Sequence, residues 1–278
     1  MLICSLLLVG AGCVPTAVEV PPTESTLPPS PTPEKWHLVW SDEFVAPDGS
    51  TPDPEKWNYT TGGSGFGNGE LQYYTDDPQQ ACIQNGMLVI KADRKTVMGR
   101  DYVSARLNTM VKGTWKYGRF EIRAKLPDTQ GIWPAFWLLP MYINYGNWPA
   151  SGEVDIMELI GKEPGRVYGT LHYGNPHKSQ SAYYDLHDGR KFSDDFHVFS
   201  LEWEPEQFRW YVDGTLYLTA DQWFTSAPGK AFPAPFDQPF YLIINLAVGG
   251  HWPGSPDSFS TFPQFLYVDY VRIFQEQP

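Results

Sequence analysis

The sequence predicts an all-β fold, a sandwich of two antiparallel sheets. Three observations carry it. Apolar and polar residues alternate with period two through most of the chain beyond Trp36. Turn signals close those runs at short intervals, and no segment holds a helical period for more than about three turns. Strands at that spacing in about 240 residues suit a single two-sheet domain.

The elements follow in order. MLICSLLLVGAGC, residues 1–13, is an apolar stretch ending in small residues before Cys13. It resembles a bacterial lipoprotein export signal with Cys13 as the lipidated residue; an ordinary cleaved secretion signal is the alternative. Residues 14–35 are rich in Pro, Thr and Ser and poor in large hydrophobes, which makes an extended linker. The expected location is therefore extracellular or at the cell surface, with the membrane reached only through Cys13. No later apolar run is long enough to span a bilayer.

The folded domain is expected over 36–276. Asn85-Gly86 before MLVIKAD marks a tight hairpin, as does Asp213-Gly214 inside FRWYVDGTLYLT (Phe208–Thr219). GTWKYGRFEIRAKL (Gly113–Leu126) alternates over most of its length. QPFYLIINLAVGG (Gln238–Gly250) and FLYVDYVRIF (Phe265–Phe274) are short, rich in β-branched and aromatic residues, and bounded by Gly or Pro.

Composition narrows the partners. A net charge of −12 argues against nucleic acid or an anionic membrane surface. The chain has 11 Trp, 16 Tyr and 16 Phe, enough to fill a core and still line a sugar-stacking groove. Three cysteines, two of them in the first 13 residues, build neither a disulfide framework nor a CxxC metal site. Cys82 is expected as a small buried hydrophobe.

GEVDIMELIG (Gly152–Gly161) carries the chemistry. Glu153 and Asp155 alternate with apolar neighbours and share one strand face, but Glu158 is out of phase. One extra residue, a β-bulge, restores phase and turns all three acids to one side. The backbones of Glu153 and Glu158 would then be about 13 Å apart at ~3.3 Å per residue. Side chains leaning together bring their carboxyls to about 5–5.5 Å, the separation for double displacement at a sugar carbon. Acids this close cannot all ionise, so Asp155 shares protons with its neighbours and one acid stays protonated near neutral pH. A row of acids on one strand suits a cation poorly, because calcium prefers to be surrounded. Around them, Trp133 and Trp137 in GIWPAFWLLP, Trp148, His172 in GTLHYG and Trp252 in AVGGHWPG suggest a lined cleft.

The acid stretch, GIWPAFWLLP, NGELQYYT (Asn68–Thr75), SARLNT (Ser104–Thr109) and the closing YVDYVRIF together resemble glycoside hydrolase family 16, most of all its laminarinase-type endo-β-1,3-glucanases. The resemblance runs from Trp36 to Phe274. It implies a β-jelly-roll with a substrate cleft on its concave sheet, a retaining mechanism, no catalytic cofactor, a β-glucan substrate and a monomer. By motif position Glu153 resembles the nucleophile, Glu158 the acid/base and Asp155 the residue that tunes them. Met157 matches the bulged form of the motif. Trp133 and Trp137 look like sugar platforms, and His172 like the polar residue beside the acid/base. Asn68 and Arg106 resemble hydroxyl-binding positions, and Trp252 sits where a glucan-contacting loop is expected. Many relatives also hold a structural calcium; its ligands resemble Glu43, the carbonyl of Gly86 and Asp269. Ordinary turn and strand-edge carboxylates are the alternative for that set. Other open readings are a β-1,3-1,4-glucanase, a galactan hydrolase of the same fold, and a non-catalytic glucan-binding protein.

Overall fold

Seventeen β-strands and no α-helix make up the computed structural model, which describes residues 35–276. The expected export signal and nearly all of the linker lie outside the described residues, as do Cys4 and Cys13.

The back sheet has eight strands. They are β1 (Trp36–Asp42), β4 (Ala81–Gln84), β5 (Met87–Ala92), β8 (Gly118–Lys125), β13 (His197–Glu204), β14 (Gln207–Val212), β15 (Thr215–Ala220) and β17 (Gln264–Glu276). The cleft sheet has seven: β2 (Asn58–Tyr59), β7 (Arg106–Asn108), β9 (Ile132–Pro140), β10 (Glu153–Glu158), β11 (Arg166–Tyr173), β12 (Lys178–Asp185) and β16 (Phe240–Val248). A short parallel pair, β3 (Gln72–Tyr74) with β6 (Tyr102–Ser104), completes the set. Every pairing within the two large sheets is antiparallel. The order in the cleft sheet, β12-β11-β10-β9-β16-β7-β2, puts the acid strand near its middle.

Local chemistry accounts for the joints. Asn85 and Gly86 take φ of 52° and 70°, and Asp213 and Gly214 take 49° and 77°, the paired positive values of a type I′ hairpin turn. The strand read from Gly113 starts only at Gly118, because Tyr117 and Gly118 both adopt positive φ and turn the chain into β8. β8 is buried on both faces even though it alternates. Its outward Arg119 and Glu121 are covered along with Glu202, which accepts from Arg119 at 2.8 Å.

Between the sheets the core is largely aromatic. Trp203, Trp210, Phe120, Phe136, Phe199, Phe208, Phe236 and Phe240 are all fully buried. Cys82 is buried in β4, as expected. The domain closes where β1 pairs with β17, with Trp36 opposite Glu276. Lys35 holds that corner through ion pairs to Glu204 and Glu276.

Candidate active site

The bulge is present in β10. Against β9, Asp155 pairs with Trp137 and Met157 with Phe136, which leaves Ile156 as the extra residue. Against β11, Glu153 sits opposite His172 and Glu158 opposite Tyr168, so five steps on β10 match four on its neighbour. Ile156 and Met157 are both buried, and Glu153, Asp155 and Glu158 all line one cleft of about 590 Å³. A bulge frees a backbone carbonyl from the ladder. Here Trp210, on β14 of the opposite sheet, donates its indole N–H to the carbonyl of Asp155 at 2.8 Å.

Each outer acid is held by an indole. Trp148 Nε1 donates to Glu153 Oε2 and Trp133 Nε1 to Glu158 Oε1, both at 3.1 Å. Small residues give the acids room: Ala135 on β9 pairs with Glu158, and Ala247 lines the cleft from β16, opposite Trp133. His172 Nε2 lies 3.2 Å from Asp155 Oδ2 and 3.9 Å from Glu153 Oε1. Asp155 is 3% exposed, and its buried Oδ2 makes no hydrogen bond.

Burial governs the protonation of this group. It pushes Asp155 up to about 8. Burial, and then the charge of Asp155, push Glu158 to about 8. Glu153 is raised well above the usual carboxylate range by burial and Asp155; His172 and the Trp148 N–H pull the other way. One oxygen each of Glu153 and Asp155 and a nitrogen of His172 lie within 4.8 Å of one another, so protons are shared across the group. If the shared proton rests on Asp155, Glu153 is left charged beneath the Trp148 N–H. Glu158 holds a proton at neutral pH. A carboxylate and a carboxylic acid on one face are what nucleophilic attack with proton donation at a glycosidic bond requires.

All seven of the other expected sugar-binding residues line the same cleft: Asn68, Arg106, Trp133, Trp137, Trp148, His172 and Trp252. Arg106 lies between Phe66 and Trp137, 5.2 and 4.7 Å from their ring centres, and its buried Nε has no hydrogen-bond partner. Trp252 meets Trp133 edge-on at 5.6 Å. Its loop is tied down by the His251 N–H, which donates to the Asn68 carbonyl at 2.8 Å. That loop leaves β16 at Gly249, where φ is +68° and any Cβ would lie 2.5 Å from Leu71.

Sequence reasoning missed Asn245, whose Oδ1 accepts from Trp137 Nε1 at 2.7 Å. It also missed Glu70, which takes hydrogen bonds from Asn68 and Gln72. Asn245 is the one polar residue in the apolar run of β16, and that was the available signal. Glu70 stands inside NGELQ, where only Asn68 is expected to bind substrate.

The expected calcium ligands are differently engaged. Both carboxylate oxygens of Glu43 accept from Arg272, at 3.0 and 2.8 Å. Asp269 accepts from Arg123 at 2.5 Å, and Gly86 forms the β4–β5 turn. With both carboxylates committed to guanidinium groups, the donor set in this arrangement does not fit a divalent cation, and two positive charges stand beside it.

The family model for "Glycosyl hydrolases family 16" matches residues 69–267. The chain belongs to this family. A "Beta-glucanase" of Rhodothermus marinus is 46% identical over 256 residues, covering 86% of this chain and 85% of that protein. "Glucan endo-1,3-beta-glucosidase A1" of Niallia circulans is 43% identical over 272 residues, covering 90% of this chain but only 39% of that protein. Among solved structures, the laminarinase catalytic domain of Thermotoga maritima superposes with a TM-score of 0.79 at 43% identity, covering 88% of this chain and all of that one. The two-sheet jelly-roll is thus shared with glycoside hydrolases, enzymes of a family that needs no catalytic cofactor.

Proposed function

We propose that the chain is an endo-acting, retaining hydrolase of β-1,3-glucan. The observation that carries this reading is the bulge at Ile156, which turns Glu153 and Glu158 to one face of one cleft. The laminarinase and endo-1,3-glucosidase names of its relatives support the substrate.

In the first step a carboxylate oxygen of Glu153 attacks the anomeric carbon. The bond from that carbon to the bridging oxygen breaks, and the departing oxygen takes the proton of Glu158. In the second step ionised Glu158 takes a proton from water, the water oxygen bonds to the anomeric carbon, and Glu153 leaves. Two inversions return the original configuration. Asp155 holds the shared proton, so Glu153 meets the sugar as an anion.

Glu153→Gln should abolish release of reducing sugar from laminarin while leaving laminarin binding within a few-fold of wild type. Retained hydrolysis overturns the assignment. Parallel digests of laminarin, lichenan and agarose separate a β-1,3 from a β-1,3-1,4 or galactan preference. Proton NMR of fresh product reports whether the β-anomer is kept.

The export reading rests on residues 1–13, with Cys13 as the acylated residue; partition of the expressed protein into detergent with wild-type Cys13 but not with Cys13→Ala tests it. A structural calcium at Glu43, Gly86 and Asp269 would have to displace Arg272 and Arg123. A Tm unmoved by chelator argues for the ion pairs, and a fall of several degrees for calcium.

A further inference from the structure

His172 presents one ring nitrogen to Asp155; its other nitrogen is also spoken for. His172 Nδ1 lies 2.9 Å from Nε2 of His177. The two rings are 5.1 Å apart at 25°, and Trp148 packs on both, 6.1 Å from His172 and 5.2 Å from His177. In an imidazole the partner of one nitrogen decides which nitrogen bears the proton, and so what the other can offer.

His177 is built into place. It ends the loop that joins β11 to β12, whose strands pair to the last rung, Tyr173 opposite Lys178. The loop is clamped by Ser226, which accepts from the Asn175 N–H at 2.6 Å and donates to the Asn175 carbonyl at 2.7 Å. Phe224 closes over Gly174 beneath it.

We infer that His177 is a positioning residue of the proposed glucanase reaction. Its Nε2–H donates to His172 Nδ1, which fixes His172 as the Nε2–H tautomer and places that proton on the nitrogen 3.2 Å from Asp155 Oδ2. His177 is exposed at the end of the hairpin, and partial desolvation lowers the pKa of its ring, which keeps it a neutral imidazole suited to this donation. The arrangement follows the logic of an acid oriented through a histidine by a third group, with the roles at the ends exchanged. Without the donor, His172 is free to turn or to change tautomer, and Asp155 Oδ2 loses the ring beside it.

The inference rests on the hydrolase reading, so its test has a part that does not. First, proton–nitrogen correlation spectra of the imidazole rings should show His172 as a single Nε2–H tautomer in wild type. In His177→Ala it should become a mixture or the other tautomer, whatever the enzyme's activity. Second, His177→Ala should lower kcat on laminarin by about three- to tenfold with KM changed less than twofold. His177→Gln, which keeps a side-chain N–H donor, should restore most of it. A His172 signal unchanged by His177→Ala, or an Ala variant with wild-type kcat, overturns the inference. A wild type that releases no sugar from laminarin defeats the hydrolase reading alone, and the spectra still decide the geometry.

Discussion

Trp210 hydrogen-bonds the backbone carbonyl of Asp155 from the opposite sheet, although the two residues are 55 positions apart. This contact ties the out-of-register point of β10 to the core. Trp210→Phe preserves most of the packing but strands a buried carbonyl, which costs about 1–3 kcal/mol. Tm should fall accordingly. Because the bulge sets the phase of Glu158, kcat should also fall, by about tenfold, for a residue that touches no substrate. A variant that loses stability but keeps full kcat would show that the strand holds its register without the indole.

Trp148 tests a different contact. Its ring is 56% exposed, yet its N–H reaches Glu153. Trp148→Phe retains the aromatic surface over His172 and His177 while removing the donor. A hydrogen bond to a charged group is worth about 1.5–3 kcal/mol and less where solvent competes. The expected loss in kcat/KM is therefore roughly five- to thirtyfold, and Trp148→Ala should lose more. Steady-state kinetics on laminarin measure both.

The acids predict the pH profile and a stability effect of known sign. Turnover needs Glu158 protonated, so its alkaline limb should fall near pH 8. The acid limb should lie above the ordinary carboxylate range, since Glu153 is raised. For stability, an unfolded Glu titrates near 4.3. Between that value and about 8 the folded chain keeps a proton on Glu158 that the unfolded chain has released. Stability contributed there is complete at low pH and is lost as pH rises through this window. Glu158→Gln never ionises, so its Tm should exceed that of wild type by a margin that grows from pH 5 to pH 8. At about 2–4 °C per kcal/mol, calorimetry resolves the difference. A margin that shrinks over this range would contradict the burial of Glu158.

Beyond Glu158 the aromatic surface continues. Trp252 meets Tyr168 at 5.0 Å, Tyr168 meets Tyr183 at 6.2 Å, and the Arg166 guanidinium lies 3.9 Å from the Tyr183 ring centre. Tyr183 is 53% exposed on the last strand of the cleft sheet. A chain crossing the strands from Glu158 would reach it only if several units long. Tyr183→Ala should raise KM for laminarin several-fold and leave hydrolysis of the tetrasaccharide unchanged. Equal effects on both substrates would place Tyr183 outside the binding track.

Much of this is legible in the sequence. The Asn85-Gly86 and Asp213-Gly214 turns are local, because two adjacent residues supply the positive φ values themselves. The bulge was legible from phase alone, since three acids in six residues make sense on one face only if one residue is extra. The indoles that hold the acids were named, Trp133 as a sugar platform and Trp148 as a residue lining the cleft, but neither as a hydrogen-bond donor to an acid. Which atoms they touch depends on how strands far apart in sequence align. Trp210 and His177 were not legible: one acts from the far sheet and the other from a hairpin loop, and neither position has a local signature. The same reason explains the calcium ligands. Glu43 and Asp269 look free in sequence, and the arginines that occupy them stand 229 and 146 residues away.

The pairing of Trp36 with Glu276 brings the two ends of the domain together on the sheet that carries no cleft residue. A fusion partner or tether joined at either end would emerge behind the enzyme, leaving the groove open to a polymer arriving from the front. A short peptide bridging those ends would make a circular permutant, and new termini could then be cut into an exposed turn such as Asp213-Gly214 without disturbing the strand that bears the acids.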